Sequence, residues 1–295
     1  MPCTHSQLEQ TWSGAVQGYS VIQISGEERV KYLHGQVTCN VAALPDAHAC
    51  LGAHCDFKGK TWAVFVLAKL EDKLLLIAPS SAALASMAEL KKYAVFSKVE
   101  IEDVSSQWEC AAIKQSETAL DAWQVSERTS DISITLPENL TLSLIQQPAT
   151  NDVTSLFNAT LIQQGIAFVA DDTINEYVPQ MFNMQCITNA IDFKKGCYMG
   201  QEVVARTKYL GKNKRAGFII SSTQSIALNQ GAILEYAIGE NWRRAGAVLN
   251  HSQLSDATFA MAVLPNDLAH DTVLRLKDEP DVTFSIEALP YALEE

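Results

Sequence analysis

Hydrophobic positions along this chain switch repeatedly between period two and helical spacing, and the switches outline its elements. Residues 20–24 alternate as a strand. Ser25-Gly26-Glu27-Glu28 then offers Ser and Glu at capping-box spacing, and Val30, Leu33 and Val37 form the apolar stripe of a helix that stops near Gly35. A strand over 49–55 leads into Asp56-Phe57-Lys58-Gly59, a turn that closes a hairpin with a strand over 61–68. A further turn at Glu71-Asp72-Lys73 precedes a strand over 74–78. Residues 81–93, rich in Ala, Leu, Met, Glu and Lys, read as a helix capped by Ser80 or Ser81, and 95–103 returns to strand.

The pattern restarts near Trp108. It predicts a strand over 110–113, a helix near 117–124, strands over 132–135 and 140–146, and a helix over 153–164 capped by Asp152. Connections this short do not accommodate regular βαβ crossovers, so the class is α+β with mixed or antiparallel sheet. Residues 165–189 are irregular, the kind of segment where function concentrates. Beyond Gly211, six short strands (215–221, 232–236, 244–250, 258–264, 273–276 and 283–289) recur at roughly ten-residue spacing between turn residues, which reads as a small antiparallel barrel or sandwich.

Composition adds limits. The chain has 295 residues, 47% hydrophobic and 19% charged, which suits a folded chain of two or three packed units. No signal-like start or membrane-length apolar run is visible, so a cytoplasmic protein away from membranes is expected. Seven irregularly spaced cysteines read as free thiols. His48, Cys50, His54 and Cys55 cluster in sequence but lack a C-x-x-C pair, and a strand there would send alternate residues to opposite faces, so no metal site is expected. Net charge is −12, against a general nucleic-acid coat. The exception is a basic strip from Lys194 to Arg215 that holds Lys194, Lys195, Arg206, Lys208, Lys212, Lys214 and Arg215 against Glu202 alone. It suits an anion such as a polyglutamate tail or an RNA phosphate, or is an ordinary solvated turn.

The densest chemistry lies at Lys194-Lys195-Gly196-Cys197-Tyr198-Met199-Gly200-Gln201-Glu202. Two lysines and a following helical run (203–205) would favour the Cys197 thiolate, and the glycines permit close approach to the main chain. A tight turn with a small buried cysteine is the competing reading.

The motif Lys195-Gly196-Cys197-Tyr198-Met199-Gly200-Gln201-Glu202 resembles the K-G-C-Y-x-G-Q-E signature of the YgfZ proteins, folate-binding relatives of the glycine-cleavage aminomethyltransferase. The resemblance extends through Lys31-Tyr32-Leu33-His34-Gly35-Gln36-Val37-Thr38, Ala53-His54-Cys55-Asp56-Phe57-Lys58-Gly59-Lys60, the segment from Leu90 to Val99, Gly239-Glu240-Asn241-Trp242-Arg243-Arg244 and the C-terminal residues from Leu289. It is weakest over 105–150. It implies an aminomethyltransferase-like ring of subdomains around a channel for tetrahydrofolate or another folate derivative. Residues 1–104 would form an N-terminal folate-binding subdomain, 105–150 a second α+β subdomain, 151–210 the segment completing the site, and 211–295 the barrel.

The resemblance also implies a role in tRNA modification and in the upkeep of iron–sulfur enzymes such as tRNA-modifying radical enzymes, with Cys197 as the key thiol and Lys195 beside it. The family's two folate-associated aromatics fall on Tyr19 and Phe157, where close relatives carry tryptophan. Both positions also suit ordinary core packing. The aminomethyltransferases' acidic residue after the hairpin glycine has no counterpart in Gly59-Lys60-Thr61-Trp62-Ala63-Val64, which speaks against glycine cleavage.

Three functions compete. The first is a folate-dependent accessory protein using Cys197. The second is a folate-dependent methyl or aminomethyl transferase or demethylase on a small amine, with Asp56 as base or merely as a turn residue. An RNA-binding module built on the basic strip ranks last, because the chain is acidic and carries no recognised RNA motif.

Overall fold

A computed structural model describes residues 3–116, 121–147, 149–209, 211 and 213–293. In chain order the regular elements begin with β1 (Trp12–Ala15), β2 (Tyr19–Ser25), α1 (Arg29–His34), β3 (His48–Cys55), β4 (Thr61–Lys69), β5 (Lys73–Pro79), α2 (Ser80–Tyr93) and β6 (Glu100–Asp103). There follow β7 (Glu109–Lys114), β8 (Val125–Glu127), β9 (Asp131–Leu136), β10 (Leu140–Ile145), α3 (Thr154–Gln163) and α4 (Gln201–Tyr209). The chain closes with β11 (Arg215–Ser222), β12 (Ile233–Ile238), β13 (Asn241–Gln253), β14 (Thr258–Pro265), β15 (Leu274–Leu276) and β16 (Thr283–Ile286).

Every described strand pairing within the sheets is antiparallel, as the short connections require. One sheet runs β3-β4-β5-β2-β6 and a second runs β1-β7-β10-β9-β8. The first strand therefore leaves the rest of the N-terminal segment and pairs with β7. The β3–β4 hairpin forms as the turn chemistry dictates: Asp56 Oδ1 accepts from the backbone N–H groups of Lys58 and Lys60 at 2.8 and 2.9 Å, and Gly59 takes a positive φ of 74°. β4 pairs Val66 with Ile77 of β5, so its first residues run beyond β5 and carry the turn past the edge where Pro79 meets Tyr19.

The last six strands close a barrel in the order β11-β14-β13-β12-β15-β16, with β16 returning to β11. Period-two alternation has an unusual use here. Phe218 and Ile220, with Ala260, Ala262 and Leu264, fill the barrel interior. Their neighbours Ile219, Phe259, Met261 and Val263 point outward into the large core shared by the two sheets and α3. Both faces of β14 are thus apolar, and the barrel is welded to the body.

Some expected elements are shorter. The strand expected over 95–103 contracts to Glu100–Asp103, because Val95 and Phe96 stand out in solvent. α2 starts at Ser80 with no side-chain cap. Asp152 stands just outside α3, accepting from the Thr154 N–H at 2.9 Å. Of the helix expected near 117–124, residues 117–120 lie outside the described residues, and 121–124 form a turn through Trp123 at φ 69°. No helix among the described residues is long and apolar enough to cross a membrane.

Candidate functional site

The segment that carries Cys197 is held by a lysine turned inward. Lys195 is only 8% exposed. Its ammonium donates to the backbone carbonyls of His34, Val37 and Cys39 at 2.6, 2.8 and 2.7 Å, and sits 5.1 Å from the centre of the Tyr198 ring. Burial pushes this ammonium down to about 8. The three acceptors lie at the last residue of α1 and in the segment just after it, where helix-end carbonyls lack intrahelical partners. Met199 N–H donates to Gly35 O at 3.1 Å, and Thr38 bridges by donating from Oγ1 to Ala190 O at 2.7 Å and accepting from Ala53 N–H at 2.9 Å.

Asp192 fixes the entry to the motif. Oδ1 accepts the backbone N–H groups of Lys194 and Lys195 at 2.7 and 3.1 Å, and Oδ2 accepts from Asn40 Nδ2 at 2.7 Å. Burial alone would raise its carboxyl, but these donors offset that and hold it below the usual carboxylate range. Sequence reading passed over Asp192, although an aspartate two and three residues ahead of the groups it bonds is a turn signal.

The glycines of the motif serve different ends. Gly200 has φ 81°, and a Cβ there would lie 2.5 Å from Asp56 O and 3.1 Å from Cys55 Cβ. It seats the motif directly on the β3–β4 turn, and Gly59 returns the contact with Val203. Gly196 is exposed with open space around it. Gln201 and Glu202 begin α4, and Glu202 pairs with Arg206 at 3.6 Å on the surface.

In this frame Cys197 is exposed, while Cys39, Cys50, Cys55 and Cys110 are buried and Cys3 and Cys186 lie between. The buried-turn reading of the thiol is thereby set aside. Lys195, expected beside the thiol, turns its ammonium inward onto three carbonyls and so serves first to hold the loop that presents Cys197. α4 begins only at Gln201, so Cys197 is not at its first turn.

Asp56 is placed as the structural residue of the hairpin, with Oδ1 committed to two backbone donors. Its proposed service as a base finds no geometric support. The basic strip is not one free patch. Arg206 pairs with Glu202, Lys208 lies 4.3 Å from the centre of the Phe193 ring, and Arg215 donates to Ala245 O at 2.5 Å. Lys214 is exposed, and Lys212 lies outside the described residues.

Tyr19 and Phe157 do meet, edge to face at 5.5 Å between ring centres. Tyr19 lines a cavity of about 450 Å³ whose walls come from the first sheet, the segment around α3 and the barrel, including Asn158, Phe168, Asn250 and His251. Its hydroxyl donates to Asn158 Oδ1 at 2.9 Å, and burial raises its pKa so that it stays neutral. Phe157 is 1% exposed and offers no open face, so the stacking expected of it is corrected: it backs Tyr19. Asn250 Oδ1 and His251 Nδ1 are buried without partners. Burial lowers the His251 pKa, favouring a neutral ring. The cavity has an aromatic wall in Tyr19 and Phe168 and polar side chains in Ser80, Asn158 and His251, a lining that suits a flat heterocycle with polar edges.

Comparison with known proteins places this geometry. A family model described as the β-barrel domain of YgfZ matches residues 213–279. The chain is 36% identical to the tRNA-modifying protein YgfZ of Vibrio atlanticus, with 100% of this chain and 97% of that one covered. It is 38% identical to the protein of the same description from Yersinia pestis, over 95% of this chain and 92% of that one. Among solved structures, the glycine cleavage system aminomethyltransferase T from Bartonella henselae matches with a TM-score of 0.71, covering 97% of this chain and 87% of that one at 14% identity, a likeness of fold.

Proposed function

The chain belongs to the YgfZ family, and from that premise we propose that it is a folate-binding accessory protein of tRNA modification that acts through Cys197 and supports the synthesis or repair of iron–sulfur enzymes. The tRNA role follows the description shared by its full-length relatives. One observation carries the choice of residue: of seven thiols, Cys197 alone is exposed, on a loop clamped by Lys195, Asp192 and Gly200. A thiol that serves only packing needs no such frame. The carrier of the one-carbon unit would sit against Tyr19, at the edge of the sheet past which the β3–β4 turn, and the motif seated on it, extend. A transferase reading with Asp56 as base is less well supported, since that carboxylate is engaged in the turn.

The test is an anaerobic titration with tetrahydrofolate, followed through the five tryptophans. Saturable binding is expected, weakened about tenfold in Tyr19→Ala through loss of the aromatic wall. A flat titration with every reduced folate would remove the folate part of the proposal and leave a thiol-based partnership.

A further inference from the structure

One motif of the sequence has no part in the proposed function: Gly239-Glu240-Asn241-Trp242-Arg243-Arg244. It turns the hairpin between β12 and β13, with Gly239 at φ 59°. β12 pairs with β15 only as far as Tyr236, and β13 pairs with β14 only from Ala247. Residues 237–244 therefore stand beyond the closed barrel as a two-stranded ribbon, and Trp242, Arg243 and Arg244 are all exposed on it.

At the base of the ribbon lies a cavity of about 460 Å³, in the size range of small-molecule sites. Tyr236 and Trp242 line it from the ribbon, and Leu268, Thr272 and Val273 line it from the loop between β14 and β15. Trp242 is 39% exposed and Val273 54%, so aromatic and aliphatic surface stands in water here. The Arg275 guanidinium lies over the Trp242 ring at 3.9 Å and donates to Glu235 at 2.8 and 3.1 Å, which steadies one face of the ring.

Strand register places the arginines. Directly opposed residues of a hairpin share a face, and Arg243 is opposed to Tyr236 and Arg244 to Glu235. Arg243 thus stands beside an aromatic wall of the cavity, and Arg244 beside a carboxylate that Arg275 already neutralises. Asp267, also in the lining, keeps anions out of the cavity itself. These walls ask for a flat, uncharged ring that carries negative charge on either side of it. A nucleobase within a strand has that form, and stacking requires it to be unpaired. An acidic peptide would bring its charge to Asp267 as well as to the arginines.

We propose that the β12–β13 ribbon binds single-stranded RNA, seating one base in this cavity against Trp242 and Tyr236 while Arg243 and Arg244 take the adjoining phosphates. The inference rests on the tRNA reading and deepens it by giving the RNA a point of direct contact. A contact this local suits a chain whose net charge of −12 rules out a general nucleic-acid coat.

The experiment measures anisotropy of a fluorescein-labelled, unstructured RNA decamer with the full-length chain at stepped KCl, and tryptophan emission with the unlabelled decamer. The wild type should bind with quenching of its emission. Trp242→Ala should weaken binding about tenfold through loss of a stacked base. Trp242→Phe should keep most of the affinity and lose the quenching. Arg243→Ala combined with Arg244→Ala should lower the salt slope by about 1.4, the share of two phosphates on a single strand. Thermal melts establish that each variant is folded. Affinity unchanged in Trp242→Ala or a salt slope unchanged in the double variant would overturn the proposal. Equally tight binding of AMP, of the same RNA in a duplex or of polyglutamate would do so too, the last pointing to an acidic protein instead. Modified nucleosides in tRNA from a deletion strain separate this proposal from the reading beneath it. If deletion lowers the modification and the decamer does not bind, the ribbon's role alone falls. If deletion leaves the tRNA unchanged, the tRNA reading falls whatever the decamer does.

Discussion

Lys195→Met should destabilise the protein even though it removes a buried charge. In the native state the ammonium donates to three backbone carbonyls at 2.6–2.8 Å. Charge-assisted bonds of this kind contribute about 1.5–3 kcal/mol each. Against them stands the cost of burying the charge, which holds the group at about 8 rather than 10.5, or about 3 kcal/mol at ~1.36 kcal/mol per unit. Removing the side chain forfeits the bonds and recovers the burial cost, while Cys39 O keeps the Val41 N–H at 3.2 Å as a donor. The net loss is about 2–5 kcal/mol, or a fall in melting temperature of about 4–10 °C for a chain of this size.

The assay is thermal unfolding by circular dichroism, with Lys194→Met as the exposed control. Linkage adds a second signature. The folded pKa lies below the unfolded one, so between about 8 and 10.5 the unfolded chain binds more protons. Lys195's contribution to stability is therefore fully present above the unfolded pKa and is lost as pH falls through about 8. The gap between wild type and Lys195→Met should widen as pH rises through that window. Equal melting temperatures for Lys195→Met and Lys194→Met, or a gap that narrows with pH, would refute the clamp.

Other consequences are as direct. Gly200→Ala should cost about 2–4 kcal/mol from its positive φ and the contact with Asp56 O, while Gly196→Ala, with open space around it, should shift stability by less than about 0.5 kcal/mol in the same melts. Brief alkylation of the native protein should label Cys197 well ahead of the other six cysteines, as read by peptide mass spectrometry, since four are buried and two half-buried. Equal labelling of several thiols would contradict the exposure pattern. Burial pushes His54 down to about 3, with Ser86 Oγ 2.9 Å from its Nδ1. Its folded pKa lies below the unfolded value of 6.5, so its contribution is present above about 6.5 and fades as pH falls toward 3. Denaturant titrations should show about 2 kcal/mol lost from this group between pH 7 and pH 5, and an unchanged difference in His54→Phe would argue against it.

What could be read in the sequence were features written locally. Asp56-Phe57-Lys58-Gly59 carries its own turn chemistry, so the hairpin and its position were legible, as were the barrel's strands from their spacing. The Cys197 motif announced itself by its density of unusual residues. What escaped depends on distant partners. Nothing beside Lys195 says that its side chain turns toward carbonyls of residues 34–39, so its part in holding the loop was not legible. Phe157 was offered as a folate-associated aromatic by the family resemblance, with core packing as the other reading, and its burial comes from α3 packing against the barrel. Val95 and Phe96 read as strand because apolar residues usually seek a core, and here they stand in solvent.

The central claim, that this chain acts in tRNA modification through its exposed thiol, is tested most directly by replacing the chromosomal copy in cells with Cys197→Ala and measuring thiomethylated nucleosides in total tRNA by mass spectrometry. Loss of the modification to the level of a deletion strain, with the variant present and folded at wild-type abundance, is the expected result. Full thiomethylation in Cys197→Ala cells would contradict it.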